Sequence, residues 1–156
     1  MKGLGFALAL ALMGAGASAQ QACFTREYSI EHLAKQPAQT VRAITVAFDG
    51  LATGEGTLGE WADVSVWFRG DGRRWTMGLW CPPGGASCAV ECDGGVFSLR
   101  WKGSDTILLK TSGFIVGLGC DGEENASRVV ADDGASSTTY RLNRAALDAC
   151  PIGSLN

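Results

Sequence analysis

From Thr40 onward, apolar and polar residues alternate with a period of two, and Asp-Gly pairs punctuate the pattern at Asp49-Gly50, Asp71-Gly72, Asp93-Gly94, Asp121-Gly122 and Asp133-Gly134. A period of two sends successive side chains to opposite faces of a strand, and Asp-Gly suits the positive φ of a tight hairpin turn. The first three pairs recur every 22 residues, which fits a cycle of strand, turn, strand, turn without any matching side-chain repeat. A two-residue turn fixes register, so the apolar sets must converge on one face if the reading holds. A turn at Asp71-Gly72 opposes Phe68 to Trp75, Val66 to Met77 and Val64 to Leu79. A turn at Asp93-Gly94 opposes Val90 to Phe97 and Cys88 to Leu99, and one at Ser112-Gly113 opposes Leu109 to Val116 and Ile107 to Leu118. All these pairs are apolar, which predicts a meander over 62–119. The other face of the first hairpin carries Asp63, Ser65, Trp67 and Arg69 against Arg74, Thr76, Gly78 and Trp80.

Further strands are predicted at 41–48 and 139–144, with 123–137 unassigned. The fold expected is mainly β: an up-and-down antiparallel meander of about eight strands closing into a small barrel, with a β-sandwich as the alternative. A short N-terminal helix is predicted over 28–36, with Ser29 as N-cap, Ile30, Leu33 and Ala34 on one side and Pro37 as the stop, packed over one end of the domain. Ahead of it, Lys2, an apolar run over 4–13 and the triplet Ala17-Ser18-Ala19 read as a cleaved signal peptide of residues 1–19, leaving 20–156 as one domain. The run is shorter than the roughly 20 residues that span a bilayer, so no stable membrane insertion is expected after cleavage. Cys23 follows Gln20-Gln21-Ala22, a poor fit to a lipid-anchor site.

The chain has 156 residues and a net charge of −3, and its Lys and Arg residues form no run. That argues against nucleic acid and against an anionic membrane surface, both of which select clustered cations. Six cysteines, Cys23, Cys81, Cys88, Cys92, Cys120 and Cys150, follow the leader, the pattern of three disulfides in a periplasmic or secreted protein. Cys81 and Cys88 flank the loop at 82–87, opposed and inward, and are the favoured pair. The other four stay open: Cys23 with Cys150 would tie the termini together but leave Cys92 with Cys120, which an up-and-down order puts at opposite ends. Zinc is disfavoured by Cys88-x3-Cys92 and a single His32, and a redox pair by the lack of C-x-x-C.

No catalytic constellation emerges. His32 sits beside Glu31 in the predicted helix, and no serine occupies a Gly-x-Ser-x-Gly elbow. Glu60, Asp63, Glu91 and Asp105 are carboxylates of the type glycosidases use, without a spacing that singles out a pair. The acidic stretch 121–125 with Asp132-Asp133 lacks the alternating order of a calcium loop. Neither metal nor cofactor is therefore expected. Among five tryptophans, the register turns Trp75 and Trp101 inward and leaves Trp61 uninformative. Trp67 and Trp80 fall outward with Arg69 and Arg74, as a candidate surface binding patch or as cross-strand cation–π pairs that only stabilise the face.

The residues 32–41, the Cys81 to Cys88 hairpin, Cys92-Asp93-Gly94-Gly95-Val96-Phe97, Tyr140-Arg141-Leu142 and the final Cys150 resemble small secreted or periplasmic proteobacterial cysteine-containing β proteins with no assigned activity. The resemblance implies an exported, disulfide-bonded domain and carries over no site residue. The expected function is an exported non-enzymatic binding or interaction module of the cell envelope, engaging an envelope protein or a glycan. A small barrel enclosing an apolar ligand is the second expectation, and a hydrolase the third.

Overall fold

The computed structural model describes residues 20–51, 61–82, 87–117, 120 and 127–150, so the signal peptide expected over 1–19 lies outside the described residues. Among these, ten strands pair antiparallel: β1 (Gln20–Glu27), β2 (Val41–Leu51), β3 (Trp61–Phe68), β4 (Trp75–Trp80), β5 (Ser87–Val90), β6 (Val96–Trp101), β7 (Thr106–Thr111), β8 (Phe114–Gly117), β9 (Ser127–Val130) and β10 (Thr138–Ala145). A helix, α1 (Ile30–Lys35), joins β1 to β2, and a 3-10 turn (Leu147–Ala149) follows β10.

Eight strands form a ring in the order β3-β2-β1-β10-β7-β6-β5-β4, and pairing of β3 with β4 closes it. The protein is thus a closed eight-stranded antiparallel barrel rather than a sandwich, and closure leaves the ring no unpaired edge. Inward positions are apolar along every strand of the ring. Phe24, Ile44, Val46, Phe48, Val64, Val66, Leu79, Cys88, Ile107, Leu109 and Leu142 all have 0 % exposure. A void wide enough for water would leave accessible area on its lining, so these side chains pack against one another and fill the barrel. Phe24 meets Phe48 and Trp101 edge-on, and Phe68 meets Trp75 in the same way.

Outside the ring, β8 and β9 form a hairpin that joins β4 through Thr76 and Gly117. Phe114, Val116 and Val130 of this hairpin are buried, and Phe114 packs on Phe97 at 4.9 Å. The hairpin therefore closes the barrel end that carries the β3–β4 and β5–β6 turns. Helix α1 sits at the same end, capped by the Ser29 hydroxyl accepting from His32 N. Only Leu33 of its three expected apolar contacts is buried; Ile30 is 86 % exposed and Ala34 also faces solvent.

The inward faces match expectation, but the registers do not. Val66 pairs with Trp75 and Val64 with Met77, two residues from the register of a tight Asp71-Gly72 turn. A slip of two preserves the face, which is why the apolar pattern does not detect it. The cause is Asp71, whose carboxylate accepts from Arg73 N (2.9 Å) and holds a longer loop. In the next hairpin Cys88 pairs with Phe97, again displaced by two. Its turn centres on Cys92 and Asp93, with φ of 59° and 56°, and Gly94 N donates to Glu91 O (3.1 Å). Positive φ at both central residues is the type I′ pattern, placed one residue before the Asp-Gly pair. Gly94 serves another purpose: Ile115 N of β8 donates to its carbonyl at 2.7 Å, and a Cβ there would meet Val90 Cγ1 at 2.6 Å and Ile115 O at 3.0 Å.

The third predicted hairpin does not form. Strand β7 pairs with β6 and β10, whereas β8 pairs with β4 and β9. β10 takes the place beside β7 in the ring, and β8 is carried across the barrel end. Asp49-Gly50 lies within β2 instead of at a turn, while Asp133-Gly134 does turn, with Gly134 at φ 71°. Strand β1 carries no signal that was read from the sequence.

The two glycines separate these roles experimentally. Gly94→Ala is expected to destabilise the domain by about 1–3 kcal/mol through overpacking against Val90 of β5 and the backbone of β8. Gly72→Ala, at a position with nothing within 4 Å and no positive φ, should shift stability by no more than about 0.5 kcal/mol. Urea unfolding followed by tryptophan fluorescence checks both.

Candidate functional site

With the interior filled, contact chemistry falls to the outer wall. Outward side chains on β3 are Trp61, Asp63, Ser65 and Trp67, and those facing them on β4 include Trp80, Gly78 and Thr76. Trp61 and Trp80 are directly opposed and 53 % and 43 % exposed, a contiguous indole pair. Trp67 lies six residues along β3 from Trp61, roughly 20 Å away, and pairs with Ala43 of β2. The predicted patch therefore divides: Trp80 stands with Trp61 near one end, while Trp67, Arg69 and Arg74 belong to the other. Arg69 is exposed and its N–H donates to Thr40 O (2.7 Å), while Arg74 is half-buried.

Beside Trp67 the wall is low because the outward side chains of β2 are short. Ala43, Thr45 and Ala47 alternate there, and in register with them stand Glu27, Thr25 and Cys23 of β1. Cys23 is bonded to Cys150, and Cys150, Cys23 and Ala47 form a small buried cluster on the outside of the barrel. That disulfide lays the 3-10 turn against the wall. The result is a depression of about 250 Å³ between Trp67 and Ala149, floored by Thr25, Ala43 and Thr45. Arg26, Glu27 and Arg42 line it as well, the last two joined by a loose ion pair (3.4 Å). Trp67 was singled out from the sequence; the other lining residues were not, because register and a disulfide bring them together.

The favoured Cys81–Cys88 bridge forms, closing the β4–β5 hairpin with both cysteines buried. The remaining bridges are Cys23–Cys150 and Cys92–Cys120. The expected obstacle to joining Cys92 and Cys120 disappears because β8 crosses the barrel end instead of running down its side. Three internal disulfides suit an oxidising, extracytoplasmic compartment.

Other residues weighed for chemistry have structural partners or stand apart. His32 stacks on Tyr28 (4.9 Å), and its Nε2 donates to Gln39 Oε1 (3.0 Å), whose amide donates to Val41 O. Asp105 pairs with Arg144 (3.1 Å), and Glu60 lies outside the described residues. Asp63 and Glu91 flank Gly78, over which the exposed Glu91 carboxylate lies. Trp101, expected inside, is half-buried at the barrel mouth. Residues 121–125 are outside the described set, and Asp132 accepts from the Tyr140 hydroxyl (3.4 Å). Burial raises the pKa of Asp132 and, most of all, of Tyr140. Among the described residues, no three His, Cys, Asp or Glu side chains converge as a metal site would.

No protein family, curated protein or solved structure matches this chain. Its function is read from its own residues.

Asp71 holds the closed end together. Its Oδ2 accepts from the Trp75 indole N–H (3.0 Å) and from Arg128 of β9 (3.2 Å), while Oδ1 accepts from Arg73 N. Arg128 in turn lies over the Phe68 ring at 4.1 Å, and Arg73 over Trp75 at 4.5 Å. The Arg73 backbone N–H, aided by the Arg73 guanidinium and the Trp75 indole, holds the Asp71 carboxyl well below the usual carboxylate range; partial desolvation opposes them. A depressed folded pKa stabilises the native state above the unfolded value, near 4, and that stabilisation is lost as pH falls through the folded pKa. Asp71→Asn should therefore lower the urea midpoint at pH 7, and its deficit relative to the unsubstituted protein should shrink progressively below about pH 4. Midpoints measured between pH 7 and pH 2 test this, and a deficit independent of pH would refute it.

Proposed function

We propose that the chain is an exported, non-enzymatic binding module, periplasmic or secreted, that engages a cell-envelope component through the outer wall of β2, β3 and β4. The observation that carries this reading is where the aromatic surface lies. Trp61 and Trp80 stand side by side in water on a barrel whose interior is already full. Leaving two indoles half exposed forgoes roughly 2 kcal/mol of burial, which a partner covering them would recover. The filled interior also weighs against the rival reading of a barrel enclosing an apolar ligand, since that requires an open cavity.

The oxidised domain, immobilised and exposed to envelope extract, is expected to retain a saturable partner. Trp61→Ala/Trp80→Ala should lose at least tenfold in that retention while changing stability by no more than about 1 kcal/mol, as surface substitutions usually do. Equal capture by the double variant and the unsubstituted domain would place the contact elsewhere.

A further inference from the structure

We infer that the depression between Trp67 and the C-terminal 3-10 turn is a subsite for one pyranose ring of a glycan, an assignment that rests on the outer-wall reading above. A pyranose ring is amphipathic: its C–H face is apolar and its hydroxyls project around the rim. It therefore calls for a flat apolar wall with hydroxyls and mixed donors and acceptors at its edge. Trp67 provides the wall, and Ala43 leaves the space in front of it open. Thr25 and Thr45 offer hydroxyls that both donate and accept, Glu27 only accepts, and Arg42 only donates.

Size narrows the class. About 250 Å³ corresponds to roughly eight waters and lies below the range of drug-sized pockets, so one ring fits and an extended apolar ligand does not. Glu27 and Arg42 form a loose, solvent-exposed pair, with side chains 74 % and 41 % exposed, so ligand hydroxyls compete for both. Arg26 stands beside them as a second cation of the lining. The Trp61–Trp80 pair differs in kind: it is flanked by Asp63 and Glu91. The ring-sized site also depends on a covalent bond, because Ala149 reaches the wall only where Cys150 is tied to Cys23.

The test is titration of the ¹⁵N-labelled, oxidised protein with cellotriose and with triacetylchitotriose, followed by amide and indole shifts. At least one sugar should produce saturable shifts at Thr25, Ala43, Thr45, Ala149 and the Trp67 indole. Trp67→Ala should weaken binding at least tenfold. Thr25→Val, which keeps the shape of the floor, should weaken it several-fold and guards against a Trp67 variant that fails to fold. The assignment is overturned if neither sugar gives saturable shifts, or if Thr25→Val binds as the unsubstituted protein does. Shifts that map to Trp61 and Trp80 instead would also overturn it while leaving the outer-wall reading standing.

Discussion

A closed ring of eight strands leaves its inward side chains no contact with water, and the rest of this structure follows from having to fill that space and seal its ends. Phe24, Phe48, Phe68, Trp75 and Tyr140 supply the bulk, with aliphatic residues between them. Sealing explains the one departure from a simple meander. The β8–β9 hairpin contributes Phe114, Val116 and Val130 over one end instead of adding a ninth stave. Asp71 and Arg128 then pin that hairpin to the β3–β4 turn, each bonded across 57 positions of sequence.

Two of the three disulfides secure segments that the ring itself does not hold. Cys92–Cys120 ties the chain after β8 to the β5–β6 turn, and Cys23–Cys150 ties the end of the described chain to β1. In the loop-entropy account, a bridge spanning 127 positions restricts the unfolded chain by about 5 kcal/mol and one spanning 28 by about 3.6, against about 2.5 for the 7-position Cys81–Cys88 hairpin. The longest bridge does most for stability and also shapes the surface, since it sets the wall opposite Trp67. Stability and site geometry share one covalent bond.

The outer wall is where sequence variation is least constrained by packing, so its pattern of short and bulky residues is informative. Short side chains at Ala43, Thr45 and Gly78 sit beside large ones at Trp67, Trp61 and Trp80. That relief creates a depression in one place and an indole pair in another, on strands held rigid by the filled core behind them.

Periodicity and composition by themselves determined that the chain is strand-rich and disulfide-bonded, with a barrel favoured over a sandwich, which residues of the paired apolar sets point inward, and that Cys81 and Cys88 meet. These properties are local: alternation is written residue by residue, and a short hairpin brings its own flanks together. The eight-strand count was legible too, although one anticipated stave, β8, lies outside the ring and β1 takes its place. Tertiary structure alone decided register, because a slip of two leaves every apolar residue on the same face and the alternation does not distinguish the alternatives. It alone also decided that Cys92 reaches Cys120, that Trp67 and Trp80 stand apart, and that Trp67 faces Ala149. Each of these depends on which strands become neighbours around a closed ring, a global condition that no short stretch of sequence encodes.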